Sequence, residues 1–151
     1  MLFARNFGNV SCVQITRNSP GRAVPSVARA LDALLNDRDT PLAEIVDRHF
    51  TPDYRQRTDG SWDDRAGFVR HIEHLRSLVR RASVTVLDEL VDGDTYAERH
   101  VVEVDKVDGS RAAHEVYVFA QITADGRFSR LEEATVLLAG SGRDAELGRA
   151  R

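Results

Sequence analysis

The chain has 151 residues, 42% of them hydrophobic and 30% charged, which suits one packed domain and excludes wholesale disorder. With 21 basic against 24 acidic residues and a net charge of −3, it lacks the basic excess of a nucleic-acid binder. No apolar run approaches the roughly 20 residues of a bilayer span, and one cysteine, Cys12, excludes an internal disulfide framework. A soluble, cytoplasmic domain is expected.

Residues 1–24 carry Arg5, Arg17 and Arg22 without a single acid. Such a start can look like a transit peptide, but its composition suits a poorly ordered extension better. The domain proper spans 25–139, and 140–151 reads as a frayed tail. Pro25 opens a helix with Val27, Leu31 and Leu34 on one stripe, ending near Asn36-Asp37. Thr40-Pro41 caps a second helix carrying Leu42, Ile45, Val46 and His49. Tyr54 to Thr58 alternate towards the turn Asp59-Gly60. A third helix is expected from Asp63 to Arg81, with Phe68, Ile72, Leu75 and Val79 as its seam. Three Asp-Gly pairs (Asp92-Gly93, Asp108-Gly109 and Asp125-Gly126) then separate segments rich in Val, Thr, Tyr and Phe. Each pair is a strong hairpin signal, so the second half is a four-stranded antiparallel meander. Helices first and sheet second make an α+β architecture.

Two-residue turns at those pairs would place Val86, Arg99, Val118 and Glu133 in one lateral row. That face adds Val84, Val101, Val116, Leu90, Ala120, Ile122, Leu131 and Leu137, with Asp88, Arg99 and Glu133 as the charged residues at its middle. The opposite face would carry Tyr96, Glu98, His100, Val102, Tyr117 and Phe119. Its aromatic content suits a homodimer interface through Tyr96, His100, Tyr117 and Phe119. A one-residue slip at any turn would exchange these faces.

Arg99 and Glu133 lie two strands apart, about 10 Å, within reach of each other over Val118. They form either a self-satisfied ion pair or the polar end of a cavity, and charges amid aliphatic residues favour the cavity. Arg99 would hold either Glu133 or a developing oxyanion. His71 sits at the edge of the third helix's seam and is a reserve base, whereas His74 falls farther round. Trp62 either closes the pocket mouth or packs beneath the helix start. No phosphate loop, metal-ligand spacing or nucleophile elbow is present, so neither cofactor nor metal is expected.

The order of elements, closing on Asp125-Gly126-Arg127-Phe128-Ser129-Arg130-Leu131-Glu132-Glu133, resembles the nuclear transport factor 2-like superfamily over about Val27 to Leu138. More narrowly it resembles the SnoaL-like branch, which includes polyketide cyclases. The resemblance implies a cystatin-like cone, with three N-terminal helices packed on a curved antiparallel sheet around a pocket, and a dimer through the sheet's open face. It also implies an acid/base role for the acid seven residues after the turn glycine, here Glu133. Relative to the limonene epoxide hydrolases, Arg99 matches their arginine but Val101 stands in place of their second acid. Their water-holding Tyr-x-Asn resembles Tyr54-Arg55-Gln56. The ketosteroid isomerases' tyrosine and base fall near Arg29-Ala30 and Gln56-Arg57, so that activity is not implied. The expected protein binds a small, largely apolar organic molecule and catalyses cyclisation, isomerisation or hydration by acid/base chemistry. Glu133, Arg99 and His71 would be catalytic. Tyr54, Gln56, Trp62, Phe68, Asp88, Val101, Val118 and Leu131 would bind the substrate. The alternative is a non-catalytic ligand-binding or dimerisation module.

Overall fold

The computed structural model describes residues 13–17 and 24–150. Three helices, α1 (Val27–Asn36), α2 (Leu42–His49) and α3 (Arg65–Leu78), pack on one face of a seven-stranded sheet. Its strands are β1 (Val13–Arg17), β2 (Phe50–Thr58), β3 (Ser61–Asp64), β4 (Val79–Asp92), β5 (Thr95–Lys106), β6 (Arg111–Ile122) and β7 (Phe128–Ala139). They lie in the order β1-β4-β5-β6-β7-β2-β3. β4 to β7 form the antiparallel meander expected from the Asp-Gly turns, while β1 joins β4 and β2 joins β7 in parallel.

Local chemistry sets the helix limits. The Ser26 hydroxyl accepts from Arg29 N–H and the Asp64 carboxylate from Gly67 N–H, each filling an orphan donor of a first turn. α3 stops at Leu78, short of the expected Arg81, because the chain from Val79 onward is taken up by pairing with β5. β2 likewise begins earlier than Tyr54, directly after α2. It folds back into β3 through Asp59-Gly60, where both residues have positive φ, as a type I′ turn requires.

Two expectations about the chain's ends change. Most of the expected N-terminal extension lies outside the described residues, but the backbone of Val13–Arg17 forms an edge strand. The expected frayed tail contains a 3₁₀ helix, Gly142–Arg149. Ser141 and Asp144 cap it reciprocally, and the buried Asp144 carboxylate receives Lys106 Nζ at 2.6 Å. Lys106 holds that carboxyl below its ordinary value.

Register decides the faces. Val118 pairs with Glu133, as expected. The turn at Asp108-Gly109, however, has three loop residues: Gly109 N–H donates to Lys106 O, and Lys106 N–H to Ser110 O. The extra residue shifts β5 by one, so Arg99 pairs with Tyr117 and Glu98 with Val118. With a period of two, that slip turns every β5 side chain over. Tyr96, Glu98 and His100 face the helices and are buried, whereas Arg99 and Val101 face outward. The turn at Asp125-Gly126 also has three loop residues, but a compensating irregularity between Gln121 and Ile122 restores the two-residue register.

Candidate functional site

A cavity of about 110 Å³ lies between the helices and the concave sheet face. Its walls are mainly apolar: Leu31 and Leu34 from α1, Phe68 and Ile72 from α3, and Val102, Val116 and Leu131 from the sheet. Phe50, Tyr54 and Phe68 stack around one end, with ring centroids 4.6 to 5.1 Å apart. Leu147 and Gly148 of the 3₁₀ helix also border the cavity. This segment is fastened by His71 Nδ1, 2.6 Å from Ala150 O, and by His114 Nε2, 2.6 Å from Asp144 O.

Two polar clusters interrupt the apolar wall. The first surrounds Glu133. Parallel pairing of β2 with β7 sets Gln56 beside Leu131 and Thr58 beside Glu133. Tyr54, Gln56 and Thr58 alternate inward from β2 and hydrogen-bond in series. The Tyr54 hydroxyl donates to Gln56 Oε1 (2.7 Å), while Gln56 Nε2 (3.0 Å) and the Thr58 hydroxyl (2.9 Å) both donate to Glu133 Oε1. Burial pushes the Glu133 carboxyl above its ordinary value, against the opposing pull of the hydrogen bonds from Thr58 and Gln56. Burial and the Glu133 charge push the Tyr54 phenol well above its ordinary value, so it remains a neutral donor.

The second cluster is the fully buried pair Glu98 and His100 on β5. His100 Nδ1 lies 2.7 Å from Glu98 Oε1, and the Tyr96 hydroxyl reaches Glu98 Oε2. His100 also borders the cavity. Among the described residues, its Nε2 is the one buried side-chain polar atom without a hydrogen-bond partner. Sequence reasoning put these residues on the outer face, although Tyr96-x-Glu98-x-His100 is legible as a period-two polar trio.

Of the expected site residues, Glu133, His71, Tyr54, Gln56, Phe68 and Leu131 border the cavity. Arg99, Val101 and Asp88 do not border it: the β5 slip carries Arg99 and Val101 outward, and a β4 bulge does the same for Asp88. Arg99 pairs with Asp88 (2.7 Å) and Glu115 (2.9 Å) on the open face and never meets Glu133. A bulge between Val86 and Asp88 lets β4 keep Val84 and Val86 inward while Asp88 and Leu90 turn out. Trp62 neither closes the cavity nor lies beneath α3; it is 42% exposed, with the Arg55 and Arg130 guanidinium groups against its ring. Val118 is packed in the core and is not part of the cavity wall. The expected interface also loses Tyr96 and His100, whereas Tyr117 and Phe119 remain exposed. Among the described residues no cluster of His, Cys, Asp or Glu is arranged to hold a metal ion, and no helix is long and apolar enough to cross a membrane.

No protein-family model matches the chain. An uncharacterised protein of Schizosaccharomyces pombe is 33% identical over 123 residues, spanning 82% of this chain and 93% of that protein. Among solved structures, IdmH of Streptomyces antibioticus, named as a candidate polyketide cyclase, superposes with a TM-score of 0.58 at 17% identity, covering 71% of this chain and 87% of that one. An NTF2-like protein of unknown function from Exiguobacterium sp. 255-15 gives a TM-score of 0.58 at 16% identity, covering 74% and 98%. A candidate SnoaL-like polyketide cyclase from Jannaschia sp. CCS1 gives 0.51 at 15% identity, covering 71% and 83%. The cone of helices on a curved sheet is thus a fold shared with these SnoaL-like and NTF2-like proteins, and the chain belongs to the family of the fission-yeast protein.

Proposed function

We propose that the protein binds a small, largely apolar organic molecule in this cavity and moves a proton on it by cofactor-free acid/base chemistry of the cyclase, isomerase or hydratase type. One observation carries the reading: Glu133 presents a carboxyl with a raised pKa to an apolar cavity, held there by Gln56 and Thr58. A raised pKa makes a carboxyl a stronger base and brings it closer to the range useful for general acid–base chemistry. Tyr54 acts through Gln56 as a positioning residue. His71 also stands at the cavity but shares its Nδ1 with Ala150 O, so its role is secondary to that of Glu133. The candidate cyclases of the same fold support this class of chemistry.

Proton exchange tests the proposal without a known substrate. In D₂O the protein should accelerate deuterium uptake next to the carbonyl of single-ring ketones, followed by mass spectrometry. Glu133→Gln should lower that acceleration by about 100-fold or more, the usual scale of general acid–base catalysis. If the ketones bind but exchange no faster than in buffer, the non-catalytic ligand-binding reading replaces this one.

A further inference from the structure

We propose that His100, oriented by Glu98, is a second proton acceptor at the cavity besides Glu133, and that the ligand is a single-ring, uncharged compound presenting an O–H group to it. This rests on the pocket reading above but involves a different strand and different residues. A buried polar atom without a partner is uncommon in a folded protein and needs a reason. His100 Nε2 is such an atom, its side chain is wholly buried, and the residue borders a mainly apolar cavity. The Glu98 carboxylate only accepts hydrogen bonds, so it selects the ring form with the proton on Nδ1. Nε2 is then an unsatisfied lone-pair acceptor on a residue that borders the cavity.

Size and polarity define the occupant. About 110 Å³ is close to the scale of an engineered apolar cavity of about 150 Å³ that holds benzene. One ring fits, and an O–H on that ring would satisfy Nε2. Transfer breaks the ligand's O–H bond and leaves its electron pair on oxygen. The proton joins Nε2, and the Nδ1 proton moves to Glu98. From Glu98 the Tyr96 hydroxyl leads on to Glu89 Oε1 at 2.8 Å, and Glu89 is only half-buried. The proton therefore has a hydrogen-bonded route from cavity to solvent.

Two measurements on the full-length protein test the assignment. Long-range ¹H–¹⁵N correlation spectra of the wild type should show His100 protonated on Nδ1 and unprotonated on Nε2, and phenol should shift the Nε2 resonance while toluene should not. A proton on Nε2 in the free protein at neutral pH would overturn the proposal. By calorimetry, the ratio of phenol to toluene affinity should fall about tenfold in His100→Leu, the value of one buried hydrogen bond. An unchanged ratio, with toluene still bound, overturns the role of His100 alone. Failure of wild type to bind toluene overturns the pocket reading and this one with it. If His100→Leu does not fold, the wild-type spectra still decide.

Discussion

Glu133 carries its carboxyl into an apolar wall, so its protonation is linked to folding. The folded-state pKa lies above the ordinary 4.5, and the folded chain therefore keeps this proton to higher pH than the unfolded chain does. The group's contribution to stability is greatest below 4.5, declines as pH rises, and levels off above the folded value. Glu133→Gln removes that decline. Its melting temperature should match wild type near pH 4 and exceed it at pH 8 by on the order of a few degrees. A uniform loss at every pH would instead mark the carboxylate as a structural acceptor for Gln56 and Thr58. Arg99 makes a useful contrast, because its ion pairs lie on the open face. Arg99→Met should cost less than about 1 kcal/mol, typical of exposed pairs, and leave toluene binding and the pH profile unchanged.

At the scale of elements, the loop after β5 has more consequence than its length suggests. Gly109 has φ +86°, and a Cβ built there would meet nothing within 4 Å. Gly109→Ala should therefore destabilise through backbone conformation alone, by about 1–2 kcal/mol. Urea melts should show a lower midpoint with an unchanged slope. The same loop fixes the β5 register and hence carries Glu98 and His100 to the cavity. The 3₁₀ helix is a second consequential element. Its core-facing contacts are few, so it is held mainly by polar groups, namely His71, His114 and Lys106.

For the whole molecule, the outer sheet face is the surface left to explain. Tyr117 is 45% exposed and Phe119 68%, with Leu90, Val136 and Leu138 also uncovered. Their charged neighbours are largely neutralised within the face, Arg99 by Asp88 and Glu115, and Arg57 and Arg130 by Glu132. An aromatic, internally neutralised surface suits a second copy of itself across a two-fold axis. We expect light scattering to give twice the chain mass at micromolar concentration, and Phe119→Asp to shift it towards monomer. A wild type that stays monomeric at high micromolar concentration would refute this assembly.

The amino-acid sequence by itself determined the α+β order, because helical spacing in the first half and Asp-Gly turns in the second are local signals. It also pointed to several residues that border the cavity: Glu133 follows from its hairpin, and His71 and Phe68 from one helix face, while Tyr54 and Gln56 came only from the resemblance of Tyr54-Arg55-Gln56 to a family motif. Only the tertiary structure decided which face β5 turns inward. Its two alternations, Tyr96-Glu98-His100-Val102 and Ala97-Arg99-Val101-Glu103, mix apolar and charged residues in similar measure, so periodicity cannot choose between them. The choice rests on a three-residue loop in place of a two-residue one and on the bulge beside Asp88. The C-terminal helix escaped detection for a related reason. Gly142-Arg143-Asp144-Ala145-Glu146-Leu147 has little apolar periodicity, and its anchors, Lys106 and His114, come from strands about 30 or more residues earlier. Such polar contacts exist only once the sheet has brought their partners together.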